Sequence, residues 1–275
     1  MDVRQASTST AKKITQTAIS DVLMPKNCVV VLSGGQDSTT ALYWAKQRFD
    51  EVHAVTFDYG QRHRIEIEAA EKIAKMAGVK SWELIHIPNI LKGRSPLTDP
   101  NQPLEQYESH DQMEKIIGDR VELTFVPMRN ALFLTIAANR AVVLDSRHLV
   151  TGVCQMDNAN YPDCRRPFIG SMMEMVEQAL GITPSQDPFI IDTPLMNLTK
   201  AQSIHLAKTL PGCMEALAYS HTAYDGAYPP TGKDHATVLR AQGFLEANEP
   251  DPLIVRAHRE GLMPLPATPN YDSVR

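Results

Sequence analysis

The chain has 275 residues, of which 43% are hydrophobic and 21% charged, and it carries a net charge of −5. That length suits one large α/β domain with at most a small appendage, and the negative balance offers no electrostatic footprint for nucleic acid or an anionic membrane. No apolar run approaches the roughly 18 residues of a membrane span, and the N-terminus lacks a signal-peptide core. Cys28, Cys154, Cys164 and Cys213 form no CxxC pair, so a soluble protein of the reducing cytoplasm is expected.

In chain order, residues 1–25 are rich in Ser, Thr, Gln and Ala and read as a flexible arm or short peripheral helix. Cys28–Leu32 is a buried strand, Thr39–Gln47 a helix, Glu51–Phe57 a second strand, Arg64–Ala77 a helix closed by Gly78, and Ser81–Ile87 a third strand. This βαβαβ rhythm predicts a parallel sheet with helices on both faces. Residues 88–120 are polar and irregular, long enough for a lid or binding loop. Asn130–Val143 is a helix, Arg147–Gly152 a strand, Cys154–Arg166 a loop, Pro167–Leu180 a Met-rich helix, Phe189–Leu195 a strand, and Thr199–Leu210 a helix capped by Thr199. Met172, Met173 and Met175 are placed in the core. After Ser220 the pattern weakens to one helix near Ala236–Gln242 and a Pro-rich tail. Residues 26–212 are expected to form a nucleotide-binding α/β domain and 213–275 a C-terminal region.

The segment with the most chemistry is VVVLSGGQDSTTALYWA, residues 29–45. A strand stops at Ser33-Gly34-Gly35 and a helix follows. Adjacent glycines let backbone N–H groups fold around an anion, and the helix dipole points its positive end the same way. Hydroxyls at Ser33, Ser38, Thr39 and Thr40 add donors, and Asp37 stands where it could meet magnesium or cap the helix. The Walker A spacing and its lysine are absent. A lone S-G-G would be an ordinary strand–helix turn; Asp-Ser after it and a buried strand before it favour a polyphosphate site. SGGQDS matches the signature of the PP-loop ATP pyrophosphatases.

FDYGQRHRIEI (57–67), FVPMRNALFLTIAANRA (125–141), YPDCRRPFI (161–169) and TPLMNLTKAQSI (193–204) complete a pattern that resembles the 7-cyano-7-deazaguanine synthase family from about residue 27 to 255. The resemblance implies a Rossmann-like parallel sheet of the adenine nucleotide alpha hydrolase type, with helices on both faces and a small C-terminal helical and loop region. It implies an ATP- and magnesium-dependent ligase that converts 7-carboxy-7-deazaguanine and ammonia to the nitrile through an adenylated carboxylate and an amide, feeding queuosine synthesis. It also implies a homodimer, for which helix Pro167–Leu180 could serve as interface, and no nucleic-acid or membrane partner.

The matching positions place ATP on Leu32, Ser33, Gly34, Gly35, Gln36, Asp37, Ser38, Thr39 and Thr40. Asp37, Arg62, Arg129 and Lys200 are the candidate catalytic residues; the two arginines suit phosphate or carboxylate, and Lys200 a phosphate. His63 reads as a ligand or a solvated loop histidine. Asn130, Tyr161, Asp163 and Arg165 are expected on the substrate, with Asp163 and Arg165 dividing purine and carboxylate in an order left open. Cys164 is expected to pack, since the chemistry needs no thiol.

The sequence departs from the family at three places. Met128 stands where the family usually has Gly. Gln155–Asn160 differs from the usual segment before YPDCR. The four zinc cysteines of the family align with His221, Thr231, Asp234 and Thr237, which supply no ordinary tetrahedral site, so zinc is expected to be absent. The alternatives are then a nitrile synthase without zinc, a diverged paralogue that stops at the amide or joins the carboxylate to another amine such as a protein in a defence system, and a nucleotide-binding module without turnover. Retention of Asp37, Arg129, Asp163, Arg165 and Lys200 argues against the last.

Overall fold

The computed structural model describes residues 26–62, 64–99, 101–156, 160–185 and 187–275. The predicted N-terminal arm, His63 and residues 157–159 lie outside them. Five parallel strands form one sheet in the order β3-β2-β1-β4-β5. They are β1 (Asn27–Val31), β2 (Glu51–Asp58), β3 (Ser81–His86), β4 (His148–Val150) and β5 (Ile190–Asp192).

Side chains alternate across a pleated strand, so β1 feeds two cores. Cys28, Val30 and Leu32 pack with α1 (Gln36–Lys46), α2 (Ile65–Ala77) and the C-terminal helices, while Val29 packs with α4 (Arg129–Val143) and α5 (Arg166–Leu180). Both faces are therefore covered, which is why β1 and β2 read as nearly unbroken apolar runs. The chain runs β1 to β3 outward on one side, then crosses back to lay β4 against the other side of β1. The loops after β1 and β4 consequently diverge, leaving a crevice at the carboxyl ends of the strands.

Several elements differ from the sequence reading. Helix α1 begins at Gln36, three residues before the predicted start, because Ser38 and Thr39 turn their hydroxyls onto the Gly35 carbonyl rather than opening the chain (3.2 and 2.7 Å). Segment 88–120 is not wholly irregular. It holds α3 (His110–Ile117), whose N-cap Ser109 accepts from the Gln112 N–H, and Tyr107, Met113 and Ile117 pack under α8 (His235–Glu246). The single helix expected after Ser220 is longer, and α9 (Pro252–Arg259) follows it, with Pro252 at its first turn and Asp251 as its cap. Between α6 (Lys200–Thr209) and α8 lies the short α7 (Cys213–Leu217). Cys213, Ala216, Leu217 and Phe244 join the same core as α1. Of the methionines placed in the core, Met172 is buried and Met173 half-buried, but Met175 faces solvent.

Candidate active site

The crevice contains a cleft of about 320 Å³ whose walls come from every segment singled out in the sequence. Its floor is the turn after β1. Gly34 has φ +85°, and a Cβ there would lie 2.3 Å from the Glu66 carbonyl oxygen, so the turn and the first residues of α2 are packed backbone to backbone. Ser33 and Ser38 share a hydroxyl contact of 3.0 Å, and the His221 N–H donates to the Gly34 carbonyl at 2.9 Å. The C-terminal region therefore braces the loop directly.

Lys200 and Asp37 meet across the cleft. The Lys200 ammonium donates to both oxygens of Asp37 at 3.1 and 2.9 Å, and its side chain is only 10% exposed. Lys200 is the first residue of α6, held there by a capping box between Thr199 and Gln202. Its stem runs over α8 at Gly243, where a Cβ would approach Lys200 Cγ to 2.4 Å. The cleft thus has a cation, a carboxylate and a helix N-terminus at one end.

At the other end Arg129, the first residue of α4, lines the wall with Tyr59, Tyr161 and Tyr224. Its bond to the Tyr59 hydroxyl is long, 3.5 Å, so most of its guanidinium fork remains to meet an anion. Before it, Met128 takes the left-handed conformation, φ +64°, which a glycine adopts freely and a methionine at the expense of strain. Phe57 and Phe133 stack in parallel at 4.2 Å and give the cleft a flat apolar wall. Arg62 and Arg165 are exposed at the rim; Arg62 donates to the Gln102 carbonyl and Arg165 to the Asn160 side chain, each at 3.4 Å.

Some expected ligand residues have other partners. Thr39 and Thr40 are fully buried and bond the Gly35 and Gln36 carbonyls, so their hydroxyls do not face the cleft. Gly34 contributes close packing rather than wall. Asp163 is turned from the cleft to the start of α4, accepting from the Asn130 N–H at 3.4 Å, because the first helical N–H groups lack intrahelical partners. Asn130 reaches the cleft while also donating to the Asp163 carbonyl at 3.2 Å. Tyr161 presents its ring to the cleft and donates its hydroxyl to Glu122 at 3.2 Å.

Three cleft residues were missed in the sequence. Tyr224 and His235 belong to the segment read mainly as a lost zinc site, and Glu66 stands two residues past the Arg64 that followed the quoted Arg62 and His63. His235 is 3% exposed, and neither ring nitrogen has a partner among the described residues. Burial, with Lys200 nearby, pushes it down to about 4, so it is neutral at pH 7. Burial pushes the Glu66 carboxyl up to about 7, with Asp234 adding to the rise and Arg129 opposing it.

The residues present suit magnesium and not zinc. Asp37 and the Ser33 and Ser38 hydroxyls form an all-oxygen donor set, which a hard cation prefers. At the positions of the family's zinc cysteines, His221 Nε2 meets the Ala223 carbonyl at 2.9 Å, and Thr231 donates to Asp225 at 2.8 Å. Asp234 caps α8, accepting from the Thr237 N–H at 3.1 Å, and the Thr237 hydroxyl donates to the Asp234 carbonyl at 3.0 Å. Among the described residues, the one group of three His, Cys, Asp or Glu side chains close enough to share an ion is His110, Asp111 and Glu114 on α3, outside the cleft wall.

The profile of the family described as "Queuosine biosynthesis protein QueC" matches residues 27–248. The chain belongs to this family. It is 46% identical over 230 residues to the 7-cyano-7-deazaguanine synthase of Gloeobacter violaceus, covering 83% of this chain and 95% of that one. It is 47% identical over 237 residues to the protein of the same name from Laribacter hongkongensis, covering 84% and 96%. Among solved structures, the NMN synthetase of Francisella tularensis aligns over 89% of this chain and 81% of its own, with 15% identity and a TM-score of 0.40. The QueC-family chain is an ATP-dependent ligase with a PP-loop, and it lacks the cysteine cluster for zinc.

Proposed function

We propose that this QueC-family ligase converts 7-carboxy-7-deazaguanine and ammonia to 7-cyano-7-deazaguanine with two molecules of ATP. The observation that carries the reading is the pairing, in one cleft, of the PP-loop and Lys200 at one end with the open Arg129 fork at the other.

The reaction joins two anions before it joins carbon to nitrogen, so the site must first offset their repulsion. Backbone N–H groups after β1 and the start of α1 receive the phosphates. Asp37 would hold magnesium, which when bound neutralises triphosphate charge. Lys200, freed from Asp37, then turns to a phosphate. Arg129 holds the carboxylate by its fork and aims one oxygen along the cleft toward the α-phosphorus. The Phe57–Phe133 wall supports the planar ring, and Arg165 and Asn130 approach its edge. Adenylation makes the carboxyl oxygen a leaving group, ammonia displaces AMP, and a second adenylation at the amide oxygen permits dehydration.

A homodimer with α5 at the interface fits the exposed Met175 and Leu180 on that helix. Among the described residues no helix is long and apolar enough to cross a membrane, and the cysteines are free thiols, which supports a cytoplasmic enzyme.

One observation favours a second reading, a paralogue that stops at the amide or delivers the carboxylate to another amine. The segment that lacks the cysteines expected from the resemblance, around His221, Tyr224, Asp234 and His235, lies on the cleft wall or directly behind it. Mass spectrometry of the product decides between them. With 7-carboxy-7-deazaguanine, ATP, magnesium and ammonium, a mass equal to the nitrile is expected. An amide or unreacted adenylate as the end product would overturn the nitrile reading and favour the second.

A further inference from the structure

Among the described residues, two carboxyl groups line the cleft, Asp37 and Glu66. Asp37 is committed to Lys200 at the phosphate end. Glu66 makes no side-chain hydrogen bond or ion pair among the described residues, and its surroundings act on it chiefly by burial, then through the charges of Arg129 and Asp234. It projects from the first turn of α2, where a negative side chain is favoured by the helix dipole. That turn is packed backbone to backbone against the PP-loop at Gly34, which fixes the Glu66 main chain beside the loop. The charged and titratable groups that act on it come from three other elements: Arg129 on α4, Tyr59 after β2, and Asp234 at the cap of α8. Glu66 therefore lines the same cleft as the PP-loop and Arg129, half-buried and with no side-chain hydrogen-bond partner among the described residues.

We propose that Glu66 is the proton acceptor for the ammonia step, an inference that rests on the ligase reading above. When the ammonia lone pair forms the C–N bond, the acyl carbon becomes tetrahedral and the nitrogen carries a positive charge. One N–H proton passes to the Glu66 carboxylate. The C–O bond to AMP then breaks, its electron pair leaving with the phosphate oxygen, and the amide remains. In the second half-reaction the adenylated amide loses its two N–H protons in turn, the first to Glu66, as the C–O bond breaks and the C–N triple bond forms. Each proton returns to solvent between steps. A carboxyl that changes charge near neutral pH suits both duties: protonated, it tolerates the substrate carboxylate beside it; ionised after adenylation, it accepts a proton.

The test compares wild type with Glu66→Gln and Glu66→Asp in two partial reactions. Without ammonium, pyrophosphate release in the first turnover and capture of the adenylate by hydroxylamine report adenylation. With ¹⁵N-ammonium adjusted at each pH to keep free ammonia constant, single-turnover amide formation across pH 5.5–8.5 (about 1.5 units either side of the expected midpoint) reports the ammonia step. Glu66→Gln is expected to form adenylate but to make amide on the order of 10²-fold more slowly, without the rising limb centred near pH 7. Glu66→Asp is expected to keep that limb at a reduced rate. Amide formation by Glu66→Gln at the wild-type rate and with the wild-type pH profile would overturn the proposal. So would loss of adenylation in a folded Glu66→Gln, which would assign the carboxyl to binding. A wild type that forms adenylate yet no amide from ammonium would remove the ammonia reading itself, and with it this role.

Discussion

Lys200 and Asp37 hold each other at 2.9 Å across 163 residues of sequence, and that distance is what a motif cannot state. The SGGQDS segment made the phosphate loop legible because its chemistry is local: small residues, a strand before and a helix after. The same local reading overstated the threonines. Thr39 and Thr40 lie one turn inside α1, where a hydroxyl that meets no ligand bonds the carbonyl four residues back. It also could not assign Gly34, whose use is to admit the α2 backbone. Replacing Gly34 with Ala places a methyl against the Glu66 carbonyl at a positive φ. We expect a loss of at least about 1–3 kcal/mol from backbone strain, measured by denaturant unfolding, together with a raised KM for ATP. Unchanged stability would show that the turn can move away from α2.

At the scale of elements, a buried hydrogen-bond network ties the C-terminal helices together. Arg240 on α8, 3% exposed, donates to both oxygens of Asp251 at 2.6 and 2.8 Å, to the Ser220 and Thr222 hydroxyls at 2.8 Å, and to the Leu217 carbonyl at 3.2 Å. Asp251 also accepts from the Leu253 N–H at 2.9 Å and so starts α9. One buried guanidinium thereby joins α7, the 217–222 segment that braces the PP-loop, α8 and α9. Removing one partner of such a pair leaves an uncompensated charge in the interior. Asp251→Ala is expected to cost about 3–5 kcal/mol and to loosen the Gly34–His221 contact, which a combined unfolding and ATP-binding measurement would register. A cost under about 1 kcal/mol would mean that water replaces Asp251 there. The sequence did not show this network, because Arg240 and Asp251 are ordinary surface residue types until packing buries them.

For the whole molecule, two cleft residues set opposite pH dependences. His235 is depressed to about 4, so its stabilising contribution is present above about 6.5 and is lost as pH falls toward 4. Glu66 is raised to about 7, so its contribution is present below about 4.5 and is lost as pH rises through 7. Chemical denaturation from pH 4 to 8 is expected to show the first loss weaken in His235→Gln, by up to about 3 kcal/mol, and the second in Glu66→Gln. Parallel pH curves for wild type and both variants would refute these assignments. By itself the sequence determined the parallel α/β sheet, the phosphate loop and the family, since strand runs, helix periods and turn residues are written over short spans and depend on neighbours in the chain. The tertiary structure alone decided which side chains face the cleft, that Asp163 accepts from the first turn of α4, that Glu66 and His235 have no side-chain hydrogen-bond partner among the described residues, and that Arg240 anchors the C-terminal helices. Those outcomes depend on which distant surfaces meet, because burial and charge come from groups that folding brings together rather than from residues adjacent in sequence.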